Sequence, residues 1–193
     1  MMNPSPRMLA VWAMGLVLLA AAPAVLAQAQ RTETVSFRNI QSMGEAGDAD
    51  NAGLVLTLAP QAWITGLSWT VDLLAHEPSW LSELTLELTN SLGEGVQLSP
   101  GDGVNAPGML QASGSIDLLN NGLAFRLRPD GRLDLDFYDG VDDLAGAADG
   151  RWTSGMLQIQ YTAPVPEPAS AGLLLAGLLA TAAWRRRATS LPR

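Results

Sequence analysis

The 193-residue sequence contains no cysteine, no lysine and a single histidine, His76. Without cysteine the chain forms no disulfide bonds, so a folded domain must rely on its hydrophobic core. Zinc, iron and copper sites draw mainly on cysteine and histidine, so this composition argues against them. A Ser-His-Asp hydrolase would need His76 as its base, but this residue lies in a predicted loop, where a solvated side chain is the simpler interpretation. The sequence also lacks a Walker loop and a dinucleotide fingerprint. We therefore predict no enzyme activity and no cofactor, with calcium as the one ion to consider.

Basic residues are few in the central part of the chain. Between residues 28 and 164 there are 18 acidic residues and six arginines, giving a net charge of −12. Such a surface repels phosphate backbones, so nucleic acid is excluded as a partner. The length of this part suits one domain with a single core.

The N-terminal segment, residues 1–27, has the order of features of a secretory signal peptide. Arg7 gives a short positive region, and residues 8–22 form an apolar stretch. Small side chains before the bond from Ala27 to Gln28 predict cleavage there, with a second cleavage position two residues further on. The alternative is a retained transmembrane helix, but the cleavage site and the polar residues after it favour removal.

The C-terminal segment changes character after residue 162. Residues 163–168 form a proline-rich spacer, because prolines cannot donate ladder hydrogen bonds and favour extended chain. Residues 169–184 are apolar, and as a helix they would be about 24 Å long, short for a hydrocarbon core of ~30 Å. Trp184 would lie at the interface, and the basic tail 185–193 would stay cytoplasmic. The positive cluster consists of Arg185, Arg186 and Arg187. The alternative is an amphipathic or buried helix, but the stretch has no polar face. We predict one transmembrane helix that anchors the chain in the inner membrane.

A short motif precedes this apolar stretch. Its residues are Val165, Pro166, Glu167 and Pro168. Together with the apolar stretch and the arginine cluster, the segment resembles the PEP-CTERM sorting signal. The resemblance implies recognition by a membrane-embedded exosortase in a Gram-negative cell that makes exopolysaccharide, followed by processing near the motif and release or transfer to the cell surface. In this interpretation the motif is a processing label on a substrate and has no catalytic role.

The predicted ectodomain, residues 28–162, has a dominant period of two, which is typical of strands with one buried face. Leu84, Leu86 and Leu88 alternate with polar residues. The same alternation occurs around Phe37, Leu56, Val71 and Ile159. Seven to nine short strands separated by Gly, Asp, Asn and Pro clusters predict an all-β fold, an antiparallel β-sandwich of the jelly-roll type.

One hairpin is predicted in register around Pro129, Asp130 and Gly131. A two-residue loop would set apolar against charged faces, so the pattern requires a three-residue loop with Gly131 in the left-handed conformation. The predicted pairs are Leu127 with Leu133, Phe125 with Leu135, Leu123 with Phe137, and Arg126 with Asp134.

An acidic run from Asp134 to Asp149 is the feature least like the rest of the chain. Calcium binds six to eight oxygen ligands, mostly carboxylates and carbonyls, and a strand end leading into an Asp-Gly loop supplies such groups. The candidate ligands are Asp136, Asp139, Asp142 and Asp143. The spacing does not match an EF-hand, and the alternative is a solvated edge whose aspartates cap local backbone donors.

These features together predict an exported protein, held in the inner membrane with its domain outside the cytoplasm and then moved to the cell surface or released. We predict a non-enzymatic binding or structural module of the envelope or of an exopolysaccharide matrix in a biofilm, with polysaccharide or another envelope component as the candidate ligand. The alternative is an exported carbohydrate-active enzyme that uses paired carboxylates.

Overall fold

The computed structural model describes residues 29–164, 172 and 176–181. Nine β-strands form the part from 29 to 164. They are β1 (Ala29–Ser42), β2 (Ala52–Thr57), β3 (Trp63–Ala75), β4 (Leu84–Asn90), β5 (Gly95–Leu98), β6 (Gly108–Asp117), β7 (Phe125–Arg126), β8 (Arg132–Asp139) and β9 (Gly150–Ala163). The prediction of an all-β antiparallel domain is confirmed. Three of the strands, β1, β3 and β9, are longer than the short strands that the pattern predicted.

The strands form two antiparallel sheets. The larger has five strands in the order β1-β9-β3-β6, with the short β7 also paired to β3. The smaller has four strands in the order β2-β8-β4-β5. Except for β4 and β5, strands that follow one another in the chain lie in different sheets or are not neighbours, so most pairings join distant parts of the sequence.

The core lies between the two sheets. Alternate residues of each strand point into it, which is why the period-two pattern was informative. An aromatic cluster joins the sheets, because Phe37 of β1 and Trp152 of β9 both contact Phe137 of β8. The ring centroids lie 5.0 Å apart for Phe37 and Phe137 and 5.3 Å apart for Phe137 and Trp152, each in an edge-to-face arrangement. Such aromatic pairs add to the stabilisation that area burial alone provides.

The predicted hairpin around Gly131 is wrong in its pairing. Phe125 and Arg126 pair with Ile64 and Trp63 in the five-stranded sheet. The strand β8 pairs instead with β2 and β4 in the other sheet, which sets Leu133 beside Leu56 and Asn90, Leu135 beside Leu54 and Leu88, and Phe137 beside Ala52 and Leu86. Arg126 donates to Gln61, and Asp134 accepts from Arg132. The chain therefore crosses from one sheet to the other at this turn.

The turn itself has the predicted conformation at Gly131. The φ angle of Gly131 is 67°, in the left-handed region. Its N–H donates to the carbonyl of Arg128 at 2.9 Å, which closes a four-residue turn. Leu127 and Leu133 on either side of the turn are both buried. This burial pattern is compatible with a chain that changes sheet as well as with a hairpin.

The two terminal segments lie largely outside the described residues. The predicted signal peptide, residues 1–27, the cleavage position at Ala27 and Gln28, and the motif from Val165 to Pro168 all fall there. Of the predicted transmembrane stretch, residues 172 and 176–181 are described and are helical. No helix among the described residues is long and apolar enough to cross a membrane.

Candidate functional site

The outer surface of the five-stranded sheet is rich in hydroxyl and carboxamide groups. Because β1, β9, β3 and β6 lie side by side, the polar residues of their alternating patterns form one surface, which we call the hydroxyl face. Its residues are Ser36, Arg38, Ser68, Thr70, Asp72, Gln111, Ser113, Ser154, Met156 and Gln158. Arg38 and Asp72 are its two charged members, so this surface is close to neutral in an otherwise acidic domain.

Hydrogen bonds between strands hold several of these side chains in place. Ser154 Oγ donates to Asp72 Oδ2 at 2.6 Å, and Ser68 Oγ donates to Gln158 Oε1 at 3.1 Å. Hydrogen bonds from Ser154 and Gln111 lower the pKa of Asp72. Asp72 is therefore a carboxylate with an ordered set of donors around it.

A shallow open groove runs across this face. One part, of 470 Å³, is lined by Ser36, Arg38, Thr70, Asp72, Ser154 and Met156 among others. A second part, of 350 Å³, shares Thr70 and Met156 with the first and continues to Ser68, Ser113 and Gln158. These volumes are in the range of small-molecule sites. Small-molecule sites, however, bury most of the surface of their ligand, which an open groove does not do. An open groove that crosses several strands suits an extended chain better than a compact small molecule.

The outer surface of the four-stranded sheet is acidic. Glu87 of β4 lies directly opposite Asp136 of β8, and directly opposed residues have Cβ atoms about 4.5–5.5 Å apart. Desolvation by neighbouring atoms and the negative charges of Asp134 and Glu87 raise the pKa of Asp136. Arg132 forms an ion pair with Asp134 at 2.6 Å. The arrangement is a pair of neighbouring carboxyl groups of which one has a raised proton affinity.

A third polar group is buried at one end of the core. Ser42, Ser79, Asp139 and Asp149 are all completely buried, and we call them the end cluster. Ser79 Oγ donates to Asp149 Oδ1 at 2.9 Å, and the Val141 N–H donates to Asp139 Oδ1 at 3.1 Å. Burial raises the pKa of Asp139 to about 7, and the negative charge of Asp149 acts in the same direction.

Several buried polar atoms near this end have no hydrogen-bond partner. They are Ser42 Oγ, Asp139 Oδ2, Asp149 Oδ2, Arg151 Nε and Trp152 Nε1. Buried polar side-chain atoms in folded proteins are nearly always paired, so such a concentration calls for an explanation.

The structure separates the four predicted calcium ligands. Asp136 is exposed on the outer side of β8, whereas Asp139 is buried on its inner side. Asp142 and Asp143 are exposed in the loop that follows. Among the described residues, no group of three or more Asp, Glu, His or Cys side chains has the geometry of a metal site.

Sequence reasoning did not connect Asp139 with Asp149 or Ser42, the other members of the end cluster that have an unpartnered oxygen. Asp149 was visible in the acidic run, but Ser42 lies almost a hundred residues earlier in the chain. No spacing rule connects them, because the end of β1 and the end of β8 meet only when the two sheets pack. For the hydroxyl face, the polar residues of each strand were visible in the alternation, and only the order of the strands was missing.

The last strand and the C-terminal segment meet at a sharp boundary. β9 ends at Ala163, and the family model for the PEP-CTERM protein-sorting motif matches residues 164–187. The chain carries a PEP-CTERM sorting motif. This match confirms the resemblance seen in the sequence and marks an exported protein that an exosortase recognises.

Comparison with solved structures gives distant likenesses. A serine protease of Aeromonas sobria matches 68% of this chain at 13% identity, with a TM-score of 0.38, and the match spans 27% of the protease. The Tobacco streak virus coat protein matches 71% of this chain and 90% of its own length at 15% identity, with a TM-score of 0.30. The Tomato Aspermy Virus structure matches 72% of this chain and 80% of its own length at 11% identity, with a TM-score of 0.28. No curated protein matches the chain. At such low scores, these likenesses carry no inference about function.

Proposed function

We propose that this protein is a non-enzymatic, surface-displayed module that binds neutral polysaccharide of the envelope or extracellular matrix along the hydroxyl face. The PEP-CTERM motif supports the route of export. In this proposal the apolar segment 169–184 spans the inner membrane during sorting, with the arginine cluster in the cytoplasm and the domain outside. The strand order β1-β9-β3-β6 against β2-β8-β4-β5, with β7 set aside, supports a jelly-roll type of sandwich.

The observation that carries the proposal is the contrast between the two outer surfaces. Acidic side chains concentrate on the four-stranded sheet, whereas the hydroxyl face presents hydroxyl and carboxamide groups with one arginine and one aspartate. Sugar hydroxyls are both donors and acceptors, and Ser, Thr and Gln side chains offer the same combination. The hydrogen bond from Ser154 to Asp72 fixes the carboxylate before a ligand arrives, which lowers the entropic cost of binding.

The test measures polysaccharide binding by the full chain in mild detergent, first on a glycan array and then by titration with the best ligand. Changing both Asp72→Ala and Ser154→Ala should weaken binding about tenfold or more, because a hydrogen bond to a charged group contributes ~1.5–3 kcal/mol. Gln97→Ala, on the other sheet, is the matched control and should bind as the unchanged chain does. Equal binding by the double variant would place the ligand elsewhere on the domain.

A second candidate function is hydrolysis of polysaccharide, favoured by one observation. Glu87 and Asp136 are directly opposed, and retaining glycosidases use two carboxyl groups about 5–5.5 Å apart, one of them with a raised pKa. Incubation of the full chain with the polysaccharides that it binds, followed by analysis of reducing ends, separates the two candidates. Turnover that Asp136→Asn abolishes would replace the binding proposal with the enzymatic one.

A further inference from the structure

The end cluster contains two fully buried carboxyl groups without a basic partner. Within residues 29–164 the structure has one salt bridge, between Arg132 and Asp134. It lies on the outer side of β8, away from the core. Asp139 and Asp149 therefore have no arginine or histidine within salt-bridge distance. A buried, unpaired carboxylate is strongly unfavourable unless a positive charge compensates it or the group takes up a proton.

Three of the unpartnered oxygens belong to segments that converge at this point. Ser42 is the last residue of β1, Asp139 is the last residue of β8, and Asp149 directly precedes β9. Backbone hydrogen bonds fix the convergence, because the Asp149 N–H donates to the Ser42 carbonyl at 3.0 Å and the Asp139 N–H donates to the Gly44 carbonyl at 3.0 Å. The side chains of Ser42 and Asp139 lie on the inner faces of opposite sheets, at the same end of the core.

One oxygen of each carboxyl group, Oδ1, already accepts a hydrogen bond. Val141 N–H and Ser79 Oγ donate to the two Oδ1 atoms, whereas each Oδ2 is buried without a hydrogen-bond partner. A water molecule could donate hydrogen bonds to these atoms, but it would not compensate the negative charge of a carboxylate. A cation would do both.

We propose that Asp139, Asp149 and Ser42 bind a calcium ion that closes this end of the two-sheet core. The ligand atoms are Asp139 Oδ2, Asp149 Oδ2 and Ser42 Oγ, all of them oxygens, which is the preference of hard cations. Backbone carbonyls and water complete the six to eight ligands that calcium takes. With two carboxylates, the dissociation constant should be ~10⁻⁴–10⁻³ M, as in extracellular calcium modules. This set keeps Asp139 from the sequence prediction and replaces its other three members.

The consequence is a calcium-dependent link between the sheets. The ion would tie β1 and β9 of one sheet to β8 of the other and would anchor the loop between β8 and β9 at both of its ends. An exported protein would meet calcium after leaving the cytoplasm, so the ion would stabilise the domain where the proposed function takes place. The inference does not depend on that function.

The test compares thermal unfolding of the full chain in mild detergent, at one fixed pH, with EDTA and with excess CaCl₂. Calcium at 100-fold its dissociation constant should raise Tm by about 5–15 °C. Asp139→Asn and Asp149→Asn conserve shape and should each abolish most of this shift. Asp142→Asn, an exposed acid from the same loop, is the matched control and should retain the shift in full.

A second measurement keeps the proposal open to refutation if an asparagine variant does not fold. Calcium titration of the unchanged chain by calorimetry should give one site, and Ser42→Ala should weaken binding about tenfold or less. The proposal fails if calcium leaves Tm unchanged, or if either asparagine variant binds calcium as the unchanged chain does. A Tm that ignores calcium but rises in Asp139→Asn would show that the two carboxyl groups share a proton instead, which also overturns the proposal.

Discussion

At the scale of single residues, Gly131 determines how the chain passes from one sheet to the other. Its φ of 67° lies in the region that residues with a Cβ rarely adopt. The Leu58 N–H donates to the Gly131 carbonyl at 2.9 Å, and a Cβ built on Gly131 would lie 2.4 Å from the Leu58 carbonyl oxygen. Conformation and space therefore both require glycine here.

We expect Gly131→Val to lower the free energy of unfolding by about 1–3 kcal/mol from backbone strain, with a further loss from the clash at Leu58. Denaturant unfolding of the full chain measures the change. The matched control is Gly103→Val, because Gly103 has a φ of 80° and no atom within 4 Å of its Cβ position. The control should show the strain without the clash. If both variants lost the same stability, the contact with Leu58 would have no energetic role.

The end cluster illustrates what could not be predicted at the residue scale. The sequence pointed to Asp139 because it stands in an acidic run, and the structure does bury it. Asp136 and Asp142, which the sequence analysis grouped with Asp139 as ligands of one ion, are exposed instead. The alternation of β8 puts Asp139 on the buried side and Asp136 on the outer side, but the sequence does not show that the strand continues as far as Asp139. Ser42 gave no signal at all, because a serine at a strand end is unremarkable until the partner sheet is known.

At the scale of elements, the alternation of apolar residues predicted which side of several strands is buried. Leu84, Leu86 and Leu88 of β4 are all buried, as are Leu157 and Ile159 of β9. The partner of each strand could not be obtained this way. Consecutive strands are usually neighbours, so a hairpin was the reasonable interpretation of the segment around Gly131. Leu127 and Leu133 satisfy the same pattern by entering the core from opposite sheets, so periodicity does not distinguish the two arrangements.

The pairing of β1 with β9 brings Phe37 into close contact with Gly155, which lies directly opposite it. A Cβ on Gly155 would lie 2.1 Å from Phe37 Cε2, and the ring cannot move away because Phe137 and Trp152 pack against it. We expect Gly155→Ala to destabilise the domain by about 1–3 kcal/mol through overpacking. Adding Phe37→Leu should recover part of the loss, so that the two changes are less than additive in denaturant unfolding.

The matched control for this contact is Gly140→Ala. The nearest atom to a Cβ at Gly140 lies at 3.7 Å, an ordinary van der Waals distance. Its free energy of unfolding should therefore change little. Strict additivity of Gly155→Ala and Phe37→Leu would mean that the ring does not rest on Gly155.

At the scale of the whole molecule, the folded domain and the sorting segment are adjacent but separate. Ala163, the last residue of β9, is buried and pairs with Ala29, the first residue of β1. The matched motif begins at the next residue, Pro164. Processing near the motif would therefore leave every strand of the domain intact. Fold and export can then be altered independently by mutation.

The parts of the C-terminal segment should also be separable. Replacing Arg185, Arg186 and Arg187 with Ala removes the charge that is expected to hold the C-terminus in the cytoplasm, and leaves the apolar stretch 169–184 able to enter the bilayer. Topology should then become mixed. Protease accessibility of the domain in spheroplasts measures this, and the double variant Asp72→Ala with Ser154→Ala is a control that should keep the normal topology.

Replacing Pro166, Glu167 and Pro168 with Ala should have a different effect. Insertion depends on apolarity and flanking charge, so it should be unaffected, whereas exosortase should no longer recognise the chain. The unprocessed precursor should accumulate in the inner membrane of a host that has the matching exosortase. Fractionation and immunoblotting with an antibody against the domain avoid a tag, which inserted after the predicted cleavage position would adjoin or interrupt β1 at Ala29. In the proposed sorting route, a chain that exosortase does not recognise stays in the inner membrane. If this variant still reached the cell surface at its mature size, the three residues would be no more than a proline spacer.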